Sequence, residues 1–240
     1  MLTKHAAIVL RVIKYNEKTD IADLLTREGK VSFLIPASRS HKSKVRRNLF
    51  QPLSVLEIEA DIRQRRELHR IKELRLLLPV ANISSNPFKT AMAFFIAEFL
   101  GRIMKPEDDC GTFFDYVLSS IEWLDGAGSG YANFHLVFLV KVSRFLGLQP
   151  SMRGYADGMC FDLQSSCFVD ASVSLPYMLT ADETKAFRTI MRLNYSDMHL
   201  FKMSREQRNR CMELLLMYYT IHITDLSDMK SVSVLKSLFV

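Results

Sequence analysis

The residues with the clearest capacity for chemistry are the nine from Arg39 to Arg47, RSHKSKVRR. Five of them (Arg39, Lys42, Lys44, Arg46 and Arg47) are basic, none is acidic, and Ser38, Ser40 and Ser43 add neutral donors. Cations this dense on a loop can follow a phosphate backbone. They release condensed counterions as they do so, which gives affinity without sequence specificity and a steep salt dependence. Arg11, Lys14 and Lys30 extend the basic track, and Tyr15 and Phe33 are candidate stacking platforms for unpaired bases. The bland alternative is a solvated charged loop, because short basic runs are common. A second basic group, Lys202, Arg205, Arg208 and Arg210, is diluted by Glu206 and Glu213 and reads better as a solvated helix face.

Other chemistries have less support. Cys160 and Cys167 are separated by six residues, wider than the gap of a zinc knuckle, and no other Cys or His lies between 136 and 198. Two half-buried thiols are therefore expected, not a metal site. His135 and Cys160 are the only residues worth naming for nucleophilic catalysis. No nucleophile elbow, phosphate-binding glycine loop or HExxH motif accompanies them, so neither catalysis nor a cofactor is expected. Glu107, Asp108 and Asp109 precede a helix, where acidic residues usually serve the helix dipole.

The background to these residues is an ordinary globular composition. The 240 residues are 48% apolar, enough for a substantial core, and no apolar run approaches the ~20 residues of a membrane span. The N-terminus has too short an apolar core for a signal peptide, and four scattered cysteines make no disulfide framework. A reducing cytoplasm is the expected location. Charge is unevenly shared. Residues 1–80 hold 17 Lys+Arg against 9 Asp+Glu, a net of +8, whereas 81–240 hold 15 against 17, a net of −2. An anionic partner docking on the first module is the implication.

Short alternating runs position that charge. Residues 5–13, 20–26, 31–35 and 52–61 read as strands with polar turns between them, which suggests a small barrel. Leu68 to Leu78 fits either a strand or a helix face. Five strands could close as an OB-type or an SH3-like barrel, and pattern alone does not choose. After Pro79 the period becomes helical. Asn86–Pro87 starts a helix carrying Phe88, Met92, Phe95, Phe99 and Ile103, ended by Lys105–Pro106. Further helices are expected over 112–124 and 131–146, the latter apolar almost all round and so central. Residues 148–178 lose the period, with a short hairpin over 159–163 and 167–169. Thr180 and Ser204 open two more helices with capping boxes. The expected organisation is a nucleic-acid-binding domain over 1–80 and a helical domain over 81–240, with its hairpin region at about 150–176.

The opening stretch, AAIVLRVIKYNEKTDIADLLTREGKVSFL, resembles the start of the RecO family of bacterial recombination mediators. The basic loop followed by QPLSVLEIE, the helices FFDYVLSSIEWLD and FHLVFLVKVSRFLGLQP, and the late Met229–Lys230–Ser231 are similar to that family's elements in the same order. One departure stands out. Many members carry a four-cysteine zinc module near 150–170, and only Cys160 and Cys167 stand here, so the chain resembles a zinc-free branch whose hairpin holds by packing.

The resemblance implies an α+β, two-domain fold, with a five-stranded OB barrel followed by a helical bundle bearing a small hairpin. It implies a cytoplasmic, nucleoid-associated, non-enzymatic protein without cofactors. Such a protein binds single- and double-stranded DNA, anneals complementary strands and helps load RecA onto DNA coated by single-stranded-DNA-binding protein. RecR, often with RecF, and the acidic tail of the coating protein are the implied protein partners, with RecA reached indirectly and no membrane involved. The basic residues carried onto the family's DNA surface are Arg11, Lys14, Arg39, Lys42, Lys44, Arg46 and Arg47. Two alternatives compete: an OB-fold RNA-binding protein, and an interaction scaffold whose basic loop meets an acidic protein.

Overall fold

In the computed structural model, which describes residues 1–37, 48–63, 66–104 and 110–238, the chain begins with a strand longer than its neighbours. Strand β1 (Thr3–Lys14) pairs through its first half with β4 (Val55–Ala60) and through its second half with β2 (Thr19–Thr26). A register shift between Val9 and Arg11 bends it, so that one strand serves two partners. β2 returns antiparallel as β3 (Gly29–Pro36) through a two-residue turn, where Gly29 takes a φ of 110°. β5 (Leu68–Leu78) pairs antiparallel with β4 and parallel with β3, closing the barrel in the order β1-β2-β3-β5-β4.

The alternation expected from the sequence fills this barrel. Ala7, Val9, Ala22, Leu24, Val31, Phe33, Ile35, Leu56 and Ile58 point inward, with Phe50 packed among them. The ambiguous fifth segment is a strand. The free backbone of β4 decides this, and Arg75 on β5 adds two hydrogen bonds to Glu57, at 2.8 and 2.9 Å.

The chain then turns helical: α1 (Ala81–Ser85), α2 (Pro87–Ile103), α3 (Gly111–Gly126), α4 (Phe134–Phe145), α5 (Ala181–Arg192), α6 (Arg205–His222) and α7 (Lys230–Leu238). The signals read for the helix starts are present as bonds. The Asn86 side chain accepts from the Phe88 and Lys89 amides at 3.0 and 3.2 Å. Thr180 with Glu183, and Ser204 with Gln207, form reciprocal capping boxes.

Two compact units emerge. The first comprises residues 1–126 and 229–238, so α1, α2, α3 and α7 pack with the barrel. Helix α2 crosses β1 at Gly101, where a Cβ would come within 4.0 Å of that of Leu10. Two lysines hold helix ends in this unit. Lys30 donates to the Gly101 carbonyl at 2.8 Å, near the end of α2, and Lys89 donates to the Asp125 carbonyl at 3.0 Å, near the end of α3. Burial pushes the Lys89 ammonium below its usual pKa, with Asp125 pulling it partly back.

The second unit, residues 127–228, is built around α4, in which Phe134 through Val140 are buried without a break. Tyr219 donates to the Leu139 carbonyl at 2.6 Å, and Tyr218 to the Leu148 carbonyl at 2.8 Å. The hairpin forms from β6 (Cys160–Asp162) and β7 (Cys167–Val169). It is held by rings: Phe161 and Phe168 pack edge to face at 5.2 Å, Tyr155 meets Phe168 at 5.3 Å, and Phe187 meets Phe161 at 5.2 Å. Asp162 ties the turn by accepting from the Ser165 amide at 2.8 Å.

Candidate nucleic-acid interface

The basic residues Arg39, Lys42, Lys44, Arg46 and Arg47 lie outside the described residues, but both chain ends leading to them are fixed. On the entry side, the Ala37 amide donates to the Lys18 carbonyl at 2.9 Å, which ties the chain to the β1–β2 turn. On the exit side, Phe50 is buried in the barrel core, and the Leu53 amide donates to the Val9 carbonyl at 2.8 Å. The stretch of β1 between these two anchors is Leu10 to Lys14, followed by Tyr15. Arg11 and Lys14, two of the three residues read as extending the basic track, and the candidate stacking residue Tyr15 lie in or beside this stretch.

Lys14 and Tyr15 are exposed there, Tyr15 at 59% of its maximum. Lys18 joins them on the same turn, where the Asn16 side chain accepts from the Lys18 and Thr19 amides, both at 2.9 Å. Among the described residues, neither lysine has an ion-pair partner, so both charges are available to an anion. Sequence reasoning passed over Lys18. Its proximity to the basic segment follows from the pairing of Thr19 with Pro36.

Arg11 is held in place. Its Nε donates to Asp23 at 2.6 Å, and the same carboxylate accepts from the Ser32 hydroxyl at 2.6 Å. Asp23 is buried while the arginine side chain stays about half exposed, at 55%. The ion pair partly neutralises the guanidinium and fixes its position.

Strand register shows the face on which Arg11 lies. Arg11 pairs with Asp23, Asp23 with Ser32, and Ser32 with Leu68. In the next row Ile13 pairs with Ile21, Ile21 with Leu34, and Leu34 with Arg70. All eight alternate with the core residues, so they share the outer face of β1-β2-β3-β5. Ile13 is 43% exposed, and Ile21 and Leu34 are half-buried, which makes an apolar strip with Arg11 near one edge and exposed Arg70 at the other. Apolar rows flanked by cations suit a single strand, whose bases seek apolar faces and whose phosphates seek charge. Arg70 was also missed. It sits in DIRQRRELHR, a stretch of mixed charge that gives no signal until its pairing with β3 is known.

Two expected residues have other positions. Phe33 is completely buried in the barrel, its ring 5.8 Å from that of His69, so it presents no face to a base. The alternation that makes β3 a strand turns its aromatic residue inward. Lys30 lies on the outer face but is half-buried and bonded to the end of α2. Burial pushes its ammonium below the usual lysine value, Asp23 pulls it back and Arg11 lowers it further. In this arrangement Lys30 braces a helix.

At the β4–β5 connection, Arg63 pairs with Asp61 at 2.5 Å, and exposed Arg66 follows. In the second unit, Arg208 donates to Asn133 at 3.0 Å and Arg210 pairs with Glu183 at 2.6 Å, so both serve the packing of α6. His135 is buried, and burial, with Arg208 adding to it, pushes its pKa down to about 3. Cys160 is buried and Cys167 exposed. Among the described residues, no group of three or more His, Cys, Asp or Glu is placed to hold a metal ion, and no helix is long and apolar enough to cross a membrane.

Comparison with known proteins agrees in both halves. The model of the N-terminal domain of recombination protein O matches residues 1–80, and that of its C-terminal domain matches 84–231. Among curated proteins, the chain is 44% identical over 240 residues to the DNA repair protein RecO of Phocaeicola vulgatus. It is 43% identical over 241 residues to that of Bacteroides fragilis and 34% identical over 245 residues to that of Porphyromonas gingivalis, with full coverage of both chains each time. With a closed five-stranded barrel, a helical remainder and relatives matched end to end, this chain belongs to the RecO family.

Proposed function

We propose that this chain is a DNA repair and recombination mediator. It binds single- and double-stranded DNA through the barrel of residues 1–80, anneals complementary strands and helps load RecA onto DNA coated by single-stranded-DNA-binding protein. The observation that carries the reading is that Arg11, Lys14 and Tyr15 lie between the two anchored ends of the basic segment, with Lys18 itself at one anchor. This reading assigns Arg39, Lys42, Lys44, Arg46 and Arg47, which the sequence places between those two ends, to the same DNA-binding surface.

Annealing needs no covalent step. Two strands repel through their phosphates, and a surface that neutralises both lowers the cost of their encounter, after which base pairing drives the reaction. The burial of His135 and Cys160, the two residues with any nucleophilic claim, supports a non-enzymatic protein. Lys14 and Lys18 act as mobile phosphate contacts, Arg11 as a fixed one and Tyr15 as a stacking platform. The helical domain of residues 81–240 serves protein contacts. RecR, often with RecF, and the acidic tail of the coating protein are the partners this reading assigns, in the cytoplasm at the nucleoid. Displacing a coating protein combines competition for its tail with competition for the strand, so moderate affinities suffice together.

The test is a double charge reversal, Arg46→Glu with Arg47→Glu, in an annealing assay run with and without the coating protein across a salt series. Each lost phosphate contact should lower the slope of log affinity against log salt by about 0.7 for a single strand. Annealing that survives the reversal undiminished refutes the assignment.

A further inference from the structure

Within the first unit, a groove of about 650 Å³ opens between β1, the chain after the basic segment, and helices α2 and α7. Its volume is in the range of small-ligand sites. Phe94 on α2 and Val234 on α7 line it and are 49% and 51% exposed, leaving two large apolar side chains facing solvent across a concavity. Phe50 and Pro52 form the wall on the barrel side. Arg11, Arg102 and Lys230 supply positive charge around these apolar walls.

Glu98 is the carboxylate among the lining residues, and it is fully engaged. It accepts from the Lys230 amide at 3.1 Å, the Ser231 amide at 2.9 Å and the Ser231 hydroxyl at 2.6 Å, and it faces Arg102 at 3.4 Å. That carboxylate also occupies the N-terminus of α7, so its positive dipole end is already satisfied. What remains open to a ligand is apolar surface with cations at its border.

The position of the groove selects the ligand. Phe50 follows Arg47 by three residues, and Arg11 lines both the groove and the outer barrel face. A strand held on the outer barrel face therefore meets the same cation, Arg11, at the mouth of this opening. We propose that the groove receives an unpaired nucleotide of that strand, its base against Phe94 and Val234 and its phosphate toward Arg11 and Lys230. The inference rests on the DNA-binding reading above and adds a base-holding site to it. A nucleotide held there is turned off the barrel face, which keeps the strand unstacked and open to a complementary partner.

The experiment uses the full chain and a short oligothymidylate containing 5-iododeoxyuridine, which crosslinks to nearby aromatic rings under ultraviolet light. Mapping should find Phe94 crosslinked. Phe94→Ala should weaken binding about fivefold with an unchanged salt slope, because stacking releases no counterions. Val234→Asp, which sets a carboxylate against the phosphate, should weaken binding as well. Both positions are half exposed, so neither change removes a core side chain.

If the parent binds the oligonucleotide but no crosslink reaches the groove and both variants bind as the parent does, the groove proposal fails and the DNA reading stands. If the parent binds no oligonucleotide even at low salt, the DNA reading itself fails, and the groove proposal with it. A third outcome also overturns the proposal: an acidic peptide ending in phenylalanine binds, and Phe94→Ala abolishes that binding while leaving DNA affinity unchanged. The groove would then belong to a protein tail.

Discussion

Glu98 offers the most direct test of how the first unit is held together. Helix α7 has nine residues and buries only Ser231 and Leu235, too little length and too little apolar surface to keep it helical alone. Its docking on α2 combines the buried Leu235 with one carboxylate that takes two amides and a hydroxyl from its first turn. Hydrogen bonds to a charged group contribute about 1.5–3 kcal/mol each, less what water returns when α7 is released, so Glu98→Ala should weaken docking by about 3 kcal/mol. By the usual conversion that is roughly a hundredfold faster amide exchange across 231–238. Glu98→Gln keeps an acceptor oxygen without the charge and should cost about 1 kcal/mol. Acidity provides a second handle. Burial raises the Glu98 pKa, but the bonds from Ser231 and Lys230 and the charge of Arg102 outweigh it and hold the group below the ordinary glutamate value. A depressed carboxylate stabilises the fold above its unfolded pKa and loses that contribution as pH falls through the folded one. Protection of α7 should therefore persist down to the ordinary glutamate range and collapse below it in the parent, with no such step in Glu98→Ala. Hydrogen exchange read by mass spectrometry reports both effects. An alanine variant whose α7 amides exchange like the parent's would refute the reasoning.

Two further predictions concern buried groups. Of the four thiols only Cys167 is exposed, and burial raises the Cys211 pKa to about 11 against the pull of Arg208 and Arg210. An alkylating reagent should modify one cysteine in the native protein and all four in denaturant, and native modification of Cys160 would contradict the packing of the hairpin. His135 stays neutral when folded because its pKa is pushed down to about 3. The unfolded chain takes up a proton that the folded chain refuses between about pH 6.5 and 3, so stability should fall as pH drops through that window. His135→Leu should flatten this part of the profile, and an unaltered pH–stability curve would count against the burial argument.

The barrel was legible because four short apolar-rich runs are separated by polar turns, and β3 and the 52–61 run alternate clearly, although β1 and β2 do not. The fifth was ambiguous, since Leu68, Leu74, Leu76 and Leu78 fit a strand face while Leu68, Ile71, Arg75 and Leu78 fit a helix face. The unpaired edge of β4 resolves it, and that edge is a tertiary fact absent from the segment itself. Helix α1 went unread because Val80, its cap residue, offers no side-chain bond. It is held from outside, by Thr90 donating to the Ile83 carbonyl at 2.7 Å and Asp125 accepting from the Ile83 amide at 2.8 Å. At the interface, residue type identified the track and position refined it. Tyr15 and Phe33 look equivalent as aromatics on one barrel, yet one sits on a turn and the other at an inward strand position. Lys18 and Arg70 carry no local signal, because their relation to the basic segment and to Leu34 exists only through strand register.

The return of α7 to the first unit also sets a schedule for synthesis. Residues 127–228 intervene between α3 and α7, so the second unit is an insertion in the chain of the first. At about 5–20 residues per second, a ribosome takes roughly 5–20 s to traverse that insertion. Throughout this interval the barrel and its first three helices are already made, while Glu98 waits for the helix whose amides it binds. The first unit is thus begun first and finished last, and a nascent chain halted inside the insertion carries an α2 surface open to whatever else can supply two amides and an apolar side chain.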